Sequence, residues 1–526
     1  MKRILKLLFS RLFLVGFTIV LLFIIDVLLV FGAFYIGREA LIFFLPSLSE
    51  NLRTIFSILQ WLIVIATVLH VVNRDMIPEA KIPWILCVVV LNVFGVIVYA
   101  VFSYNRPSQR QRRRYWRLRE QSKVYTKRTL SKEETKEALK DKASMSEAIL
   151  RGNPSALLYE NTDTEYFPSG EAFFERLQED LKGAEKFIFM EYFILAHGKM
   201  WDTILEILKE KVKAGVEVRV IYDDIGCMGK LRMGYARNLK KAGIACMKFN
   251  PFVPIVSNLH NNRDHRKITV IDGKIGYTGG VNLADEYINE THPFGYWKDT
   301  ALRLEGEGVK GLTLMFLQTF HLRTKEEADF SKYIPTEFET RENAGFVQPY
   351  CSGPRPIYQR HLAEDVYINI LAAAREYVYI TTPYLIIDYR MREAMCSAAA
   401  RGVDVRIVVP HIPDKKLAFA LTRSNYMALI KGGVKIYEFT PGFIHAKSFL
   451  SDDEIGVVGT VNLDYRSLMH HYENAVLMYK TKANTALKAD FESIFQRSAL
   501  QTEQDAKKNV VWRGLCEVAK VFAPLF

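Results

Sequence analysis

Two stretches of the chain carry one pattern, and it limits the folds available more than any other feature. His265-Arg266-Lys267 is followed by Asp272, and His445-Ala446-Lys447 by Asp452, so both read H-x-K-x4-D. Each leads into a small-residue pair and an asparagine, Gly279-Gly280-Val281-Asn282 and Gly459-Thr460-Val461-Asn462. The histidines and the asparagines both recur at 180 residues. One copy alone is weak; two copies in step point to a duplication. Other segments keep the same order. Ala214-Gly215-Val216 parallels Arg401-Gly402-Val403, and Lys241-Ala242-Gly243 parallels Lys431-Gly432-Gly433. Residues 186–190 predict a strand, 201–214 a helix and 216–222 a buried strand; 377–380, 390–400 and 403–409 repeat the series. Such alternation predicts two α/β units, each with a mainly parallel sheet.

The pattern also carries chemistry. Residues 267–271 and 447–450 are rich in apolar or β-branched residues, as strands are. Two residues apart on a strand, His265 and Lys267 share a face, as do His445 and Lys447. Neutral imidazole can attack phosphorus, and a second, protonated imidazole can supply a leaving oxygen with its proton. Lysine neutralises phosphoryl oxygens, and the amides of Asn282 and Asn462 can donate to them. One histidine cannot easily be nucleophile and acid at once, so two halves facing each other make one site. Asp272 and Asp452 complete the motifs, yet Asp272-Gly273 also reads as a hairpin turn. Both roles stay open for these aspartates, and they stand among the catalytic candidates. Farther on, Trp297-Lys298-Asp299 matches Tyr472-Glu473-Asn474 in character. Asp299 and Glu473 are candidates to hold the far nitrogen of an imidazole and fix its tautomer.

These residues, with Asn262-Arg263-Asp264, Gly442-Phe443-Ile444, Thr382-Pro383-Tyr384 and Leu463-Asp464-Tyr465-Arg466-Ser467, resemble the phospholipase D superfamily and, within it, the bacterial cardiolipin synthases. The likeness runs from about residue 150 onward; His470-His471 depart from the usual pattern. It implies N-terminal membrane helices followed by two pseudo-symmetric phospholipase D-like α/β subdomains that share one active site. It also implies a phosphatidyltransferase that joins two phosphatidylglycerol molecules into cardiolipin, releasing glycerol through a phosphatidyl-histidine. His265 would be the nucleophile and His445 the acid and base, with Lys267, Lys447, Asn282 and Asn462 holding the charge. Lipid hydrolysis and nucleic-acid cleavage are the alternative uses of the same motifs. The hydrophobic segments argue against a nucleic-acid substrate.

The net charge of +12 suits an anionic partner. Six cysteines show no paired spacing, and the remaining histidines show no metal spacing, so no disulfide or metal is expected. No phosphate-cradling glycine loop is present, so no nucleotide cofactor is implied. Residues 12–36, 54–72 and 82–102 are apolar runs of membrane-spanning character, the first interrupted by Asp26. An arginine tract from Arg106 to Arg119 follows them and favours the cytoplasmic side, next to anionic head groups. The plan is membrane helices over 1–105, a basic linker over 106–150, the two halves over 151–345 and 346–505, and an amphipathic tail over 506–526. Expected is a multi-pass protein of the cell membrane with its catalytic part on the cytoplasmic face. The apolar loop 252–256 would dip into the bilayer or cover the core.

Overall fold

The computed structural model describes residues 49–103, 109–126, 130–252, 261–323, 328–341, 344–355, 357–358, 360–507 and 510–525. The apolar run 12–36 and loop residues 253–256 lie outside the described residues. The chain forms two compact units, one built on the N-terminal helices and one spanning most of residues 107–517.

In the first unit, helices Ser49–Asn73 and Pro78–Phe102 pack through Val64, Val71, Trp84, Val88 and Tyr99. Ile58, Leu59, Trp61, Leu62 and Ile65 face outward. Among the described residues, Pro78–Phe102 is by length and composition apolar enough to cross a membrane, and Ser57–Asn73 is a shorter apolar helix. The Pro78–Phe102 backbone is broken, however: Asn92 has φ 54° and ψ −132°. Beyond it the chain turns back, so that a Cβ on Gly95 would lie 2.1 Å from the Cys87 carbonyl oxygen. The returning arm reaches the connecting loop, where Arg74 donates to the Tyr99 hydroxyl at 3.1 Å and the Ser103 hydroxyl at 2.9 Å. Arms 78–91 and 93–102 are roughly 21 and 15 Å long. Neither matches a hydrocarbon core of about 30 Å. The straight span expected over 82–102 is thus a reversing helical pair.

The second unit holds two sheets. The first contains β1 (Thr162–Phe167), β2 (Phe187–Tyr192), β3 (Glu217–Asp223), β4 (Ala245–Phe249), β5 (Lys267–Ile271), β6 (Ile275–Gly279) and β8 (Ala301–Gly306), in the order β1-β8-β6-β5-β2-β3-β4. A short β7 (Tyr296–Lys298) stands outside it. The second sheet draws on β9 (Phe346–Ser352), β10 (Tyr377–Thr381), β12 (Asp404–Pro410), β13 (Lys435–Phe439), β15 (Ser448–Ser451), β16 (Ile455–Gly459), β18 (Glu473–Tyr479) and β19 (Ser498–Leu500). Its order is β19-β13-β12-β10-β15-β16-β18-β9. The intervening β11 (Leu385–Ile386), β14 (Gly442–Ile444) and β17 (Leu463–Asp464) form small ladders of their own.

The duplication is plain in this order, because β2, β3, β5 and β6 occupy the places of β10, β12, β15 and β16. Gly215 and Gly402 end equivalent helices with φ +89° and +90°, where a side chain would be strained. The sheets are mixed, not mainly parallel. Among the described residues of these two sheets, only β2-β3-β4 and β10-β12-β13 run parallel, through helical crossovers. The motif strands β5 and β15 enter antiparallel and continue through tight turns into β6 and β16. A three-residue turn permits no other pairing.

Helix Val309–Arg323 is buried along nearly its whole length. It lies in a core shared by both halves, where Phe316 stacks on Phe189 at 4.6 Å. The stretch expected to be a linker is docked as well. Helix Gln109–Ser122 buries Tyr115 and Leu118 in that core, and Ser122 accepts from Gln318 at 2.9 Å. Arg110, Arg113 and Arg117 face outward, whereas the apolar residues at helical spacing supply burial that a free linker would lack. In the tail helix Val510–Phe522, Cys516 is buried, while Leu515, Val518 and Phe522 are exposed.

Candidate active site

The two halves meet through short backbone ladders that decide the geometry of the site. β14 runs parallel to β7, and the His445 amide donates to the Lys298 carbonyl at 2.7 Å. In the mirrored position the His265 amide donates to the Tyr472 carbonyl at 2.9 Å, and the Tyr472 amide to Arg263 at 2.8 Å. Each histidine is therefore held against the other half, one residue before that half's carboxylate. The result is a crosswise pair. His265 Nδ1 lies 2.9 Å from Glu473 Oε2, and His445 Nδ1 lies 2.6 Å from Asp299 Oδ2. An ionised carboxylate only accepts, so each ring keeps its proton on Nδ1 and leaves Nε2 with a free lone pair.

Local sequence supports both carboxylates. Gly280 is required because a Cβ there would stand 2.0 Å from Asp299 Oδ1. In the second half Thr460 takes that place and donates its hydroxyl to Glu473. Strand alternation sends Lys298 the opposite way from Asp299, into a buried ion pair with Asp490 at 2.7 Å. It also sends Arg266 away from His265, to Glu191 at 2.8 Å and Asp264 at 2.9 Å.

Lys267 and Lys447 are buried in the same place, each donating to its own histidine's carbonyl oxygen. Burial, followed by the neighbouring ammonium groups, pushes both imidazoles well below their ordinary range, so they are neutral bases near neutrality. Burial also lowers Lys267 to about 8 and Lys447 to about 7, and raises Asp299 to about 6. Lys447 and His445 act electrostatically on His265, and Lys267 on His445, which places the four groups close together.

The asparagines sit in matched frames. Leu283 bridges to Leu195, and Leu463 pairs with Leu385. Asn282 accepts from the Ile194 amide at 3.0 Å and donates to the Tyr287 hydroxyl at 2.7 Å. Asn462 is buried with no partner for Oδ1. The Leu463 amide next to it donates to Thr382 Oγ1 at 3.1 Å, a structural place for the Thr382-Pro383-Tyr384 run.

The structure does not bring Asp272 and Asp452 to the histidines. They lie at the far ends of β5 and β15, roughly 20 Å along the strand. Asp272 accepts from the amides of Glu185, Lys186 and Phe187 at 2.7–2.8 Å. Asp452 accepts from Arg375, Glu376 and Tyr377, each at 2.9 Å. Both residues have positive φ. They tie the hairpin to the start of the neighbouring strand, which corrects their place among the catalytic candidates. Asp272→Ala is expected to cost about 1–3 kcal/mol of stability, since three backbone amides, two of them at the surface, lose their charged acceptor. Activity per folded molecule should be nearly unchanged. Denaturant unfolding and turnover of the soluble fraction check both.

The walls of the site were not evident in the sequence. Phe193 meets His265 edge-on at 5.1 Å, while Trp297 and Tyr287 flank His445 at 5.4 and 5.5 Å. No spacing rule ties them to the motifs. His471 lies 5.6 Å from His265, ring to ring.

Comparison with known proteins agrees with this geometry. Residues 177–293 and 367–495 match the family described as "Cardiolipin synthase, PLD-like domain", and residues 62–103 match a phospholipase D-nuclease N-terminal region. The chain is 44% identical to an uncharacterized protein of Streptococcus mutans, over 88% of this chain and all of the relative. It is 32% identical to a cardiolipin synthase of Halalkalibacterium halodurans, over 88% of this chain and 91% of that one. The crystal structure of a phosphatidylserine synthase from Haemophilus influenzae superimposes with a TM-score of 0.53 at 14% identity. It covers 69% of this chain and 95% of its own, a likeness of fold alone. The chain belongs to the cardiolipin synthase family, phosphatidyltransferases of the phospholipase D superfamily.

Proposed function

We propose that the site transfers a phosphatidyl group from one phosphatidylglycerol to the glycerol hydroxyl of another, giving cardiolipin and glycerol. The crosswise pairing carries this reading, since each half supplies the carboxylate that orients the other half's histidine. His265 Nε2 attacks phosphorus and forms the phosphatidyl-histidine. The bond to glycerol breaks, and the departing oxygen takes a proton from His445, protonated once the anionic substrate is bound. His445, now neutral, accepts the proton of the second lipid's hydroxyl as that oxygen attacks and releases His265. Lys267, Lys447, Asn282 and Asn462 hold the phosphoryl oxygens throughout. A phosphodiester is exchanged for a phosphodiester, so the reaction needs no nucleotide. The test gives purified protein phosphatidylglycerol alone. Cardiolipin with an equal amount of glycerol supports the proposal. Phosphatidic acid without cardiolipin would replace it with hydrolysis, and cutting of single-stranded DNA without lipid turnover would replace it with a nuclease.

The lysines set a pH dependence. An ammonium with a lowered pKa is charged below that value and lost above it. In the free enzyme Lys447 falls to about 7 and Lys267 to about 8, so kcat/KM should decline as pH rises from about 7 to 9. Bound phosphate restores the charge, so the limb in kcat should lie at higher pH. Initial rates at low and saturating lipid check the pair of limbs. A kcat/KM that rose steadily to pH 9 would contradict it.

The membrane side is part of the same proposal. If apolar run 12–36 and helix Ser49–Asn73 cross while the broken Pro78–Phe102 pair returns to its own side, the crossings number two. The basic N-terminus and the arginine helix Gln109–Ser122 then both face the cytoplasm. Reporter tags on the two termini should be found inside together; opposite sides would rule this topology out.

A further inference from the structure

We propose that His265, His471 and Glu473 form a binding site for Zn2+, through which the cation reversibly switches the enzyme off. One potential ligand atom from each of the three lies within 4.8 Å of the others, and all three side chains are buried. Closing to the spacing of a zinc centre takes side-chain movement of about an ångström. His471 supplies the second observation. It is 8% exposed, and among the described residues neither ring nitrogen has a hydrogen-bond partner. Its Nδ1 stands 3.6 Å from Glu473 Oε1, too far for a hydrogen bond and close enough to share a cation. A buried imidazole with both nitrogens unsatisfied is costly and calls for a ligand. The chain sets the ring there with a single π-type turn, Arg466–His470, closed by the His471 amide on the Arg466 carbonyl at 2.7 Å.

Two imidazoles and one carboxylate with an open fourth position are a zinc donor set. Magnesium and calcium want more oxygen ligands than are present. The cation takes the place now held by the proton between His265 Nδ1 and Glu473 Oε2. That proton moves to His265 Nε2, so the neutral ring binds zinc through Nδ1 and has no lone pair left for phosphorus. The inhibition rests on the phosphatidyl-transfer reading above; the binding does not.

Full-length protein in detergent, stripped with chelator, is titrated with Co2+ as a spectroscopic probe and then with Zn2+. One Co2+ per chain with tetrahedral visible bands, displaced by Zn2+, is expected. Micromolar Zn2+ should stop cardiolipin formation, chelator should restore it, and Mg2+ should do neither. H471L and H471N should weaken Zn2+ binding at least about 100-fold, with circular dichroism as the control for folding. Unchanged binding in a folded variant would overturn the site. Zinc-edge X-ray absorption on the unmutated protein needs no variant: two imidazoles on the bound metal support the site, and one or none refutes it. Binding is read without lipid, so a failure of lipid turnover leaves this result independent.

Discussion

His265→Ala and His445→Ala should each lower kcat by about 10^4-fold or more, and the double variant should be scarcely worse than either. The two rings belong to one cycle, so removing one leaves the other nothing to do. Had each half an independent site, either single variant would keep about half the activity. Both rings are buried, yet each is small, so alanine should leave the fold intact. Circular dichroism and thermal unfolding provide the control. Cardiolipin formation by equal amounts of folded protein gives the ratio.

The carboxylates should show the next largest effect. Asp299→Asn and Glu473→Gln keep size and remove charge, and each is expected to cost about 10^3- to 10^4-fold in kcat. An amide that turns its NH2 toward Nδ1 favours the tautomer with hydrogen on Nε2, the wrong one for attack or proton uptake. The crosswise geometry sharpens the expectation. Glu473→Gln disables the ring of the first half, so it should suppress formation of the covalent intermediate itself. Asp299→Asn disables His445 and should slow both release of glycerol and attack by the second lipid. Single-turnover kinetics with labelled phosphatidylglycerol separates the steps. Equal loss of intermediate formation and resolution in both variants would speak against the crossed roles.

The motif strands, the matched helices and glycine caps of the two halves, and the meeting of His265, Lys267, His445 and Lys447 were legible in the sequence. All follow from patterns that repeat within about ten residues. What escaped was set by contacts between distant segments. Counting along the chain assigns Asp299 to the half of His265 and Glu473 to the half of His445. Only the ladders at Lys298–His445 and Tyr472–His265 cross them over. The motif aspartates looked catalytic because they recur with the histidines, but a strand's length separates them from the site. The mixed sheets follow from the hairpin at Asp272, a turn that the sequence does suggest and that reverses the strand direction. The break at Asn92 left no mark in hydropathy, since one polar residue scarcely alters the mean of an apolar run. His471 was visible only as an odd residue two places before Glu473, and its empty nitrogens appear only once the fold encloses it.

The claim beneath all of this is that two halves make a single reaction centre. Rapid quenching of the enzyme with radiolabelled phosphatidylglycerol, followed by peptide mapping, tests it most directly. The account predicts at most one phosphatidyl group per chain, on His265, absent in His265→Ala. Two groups per chain, one on each motif histidine, would contradict it.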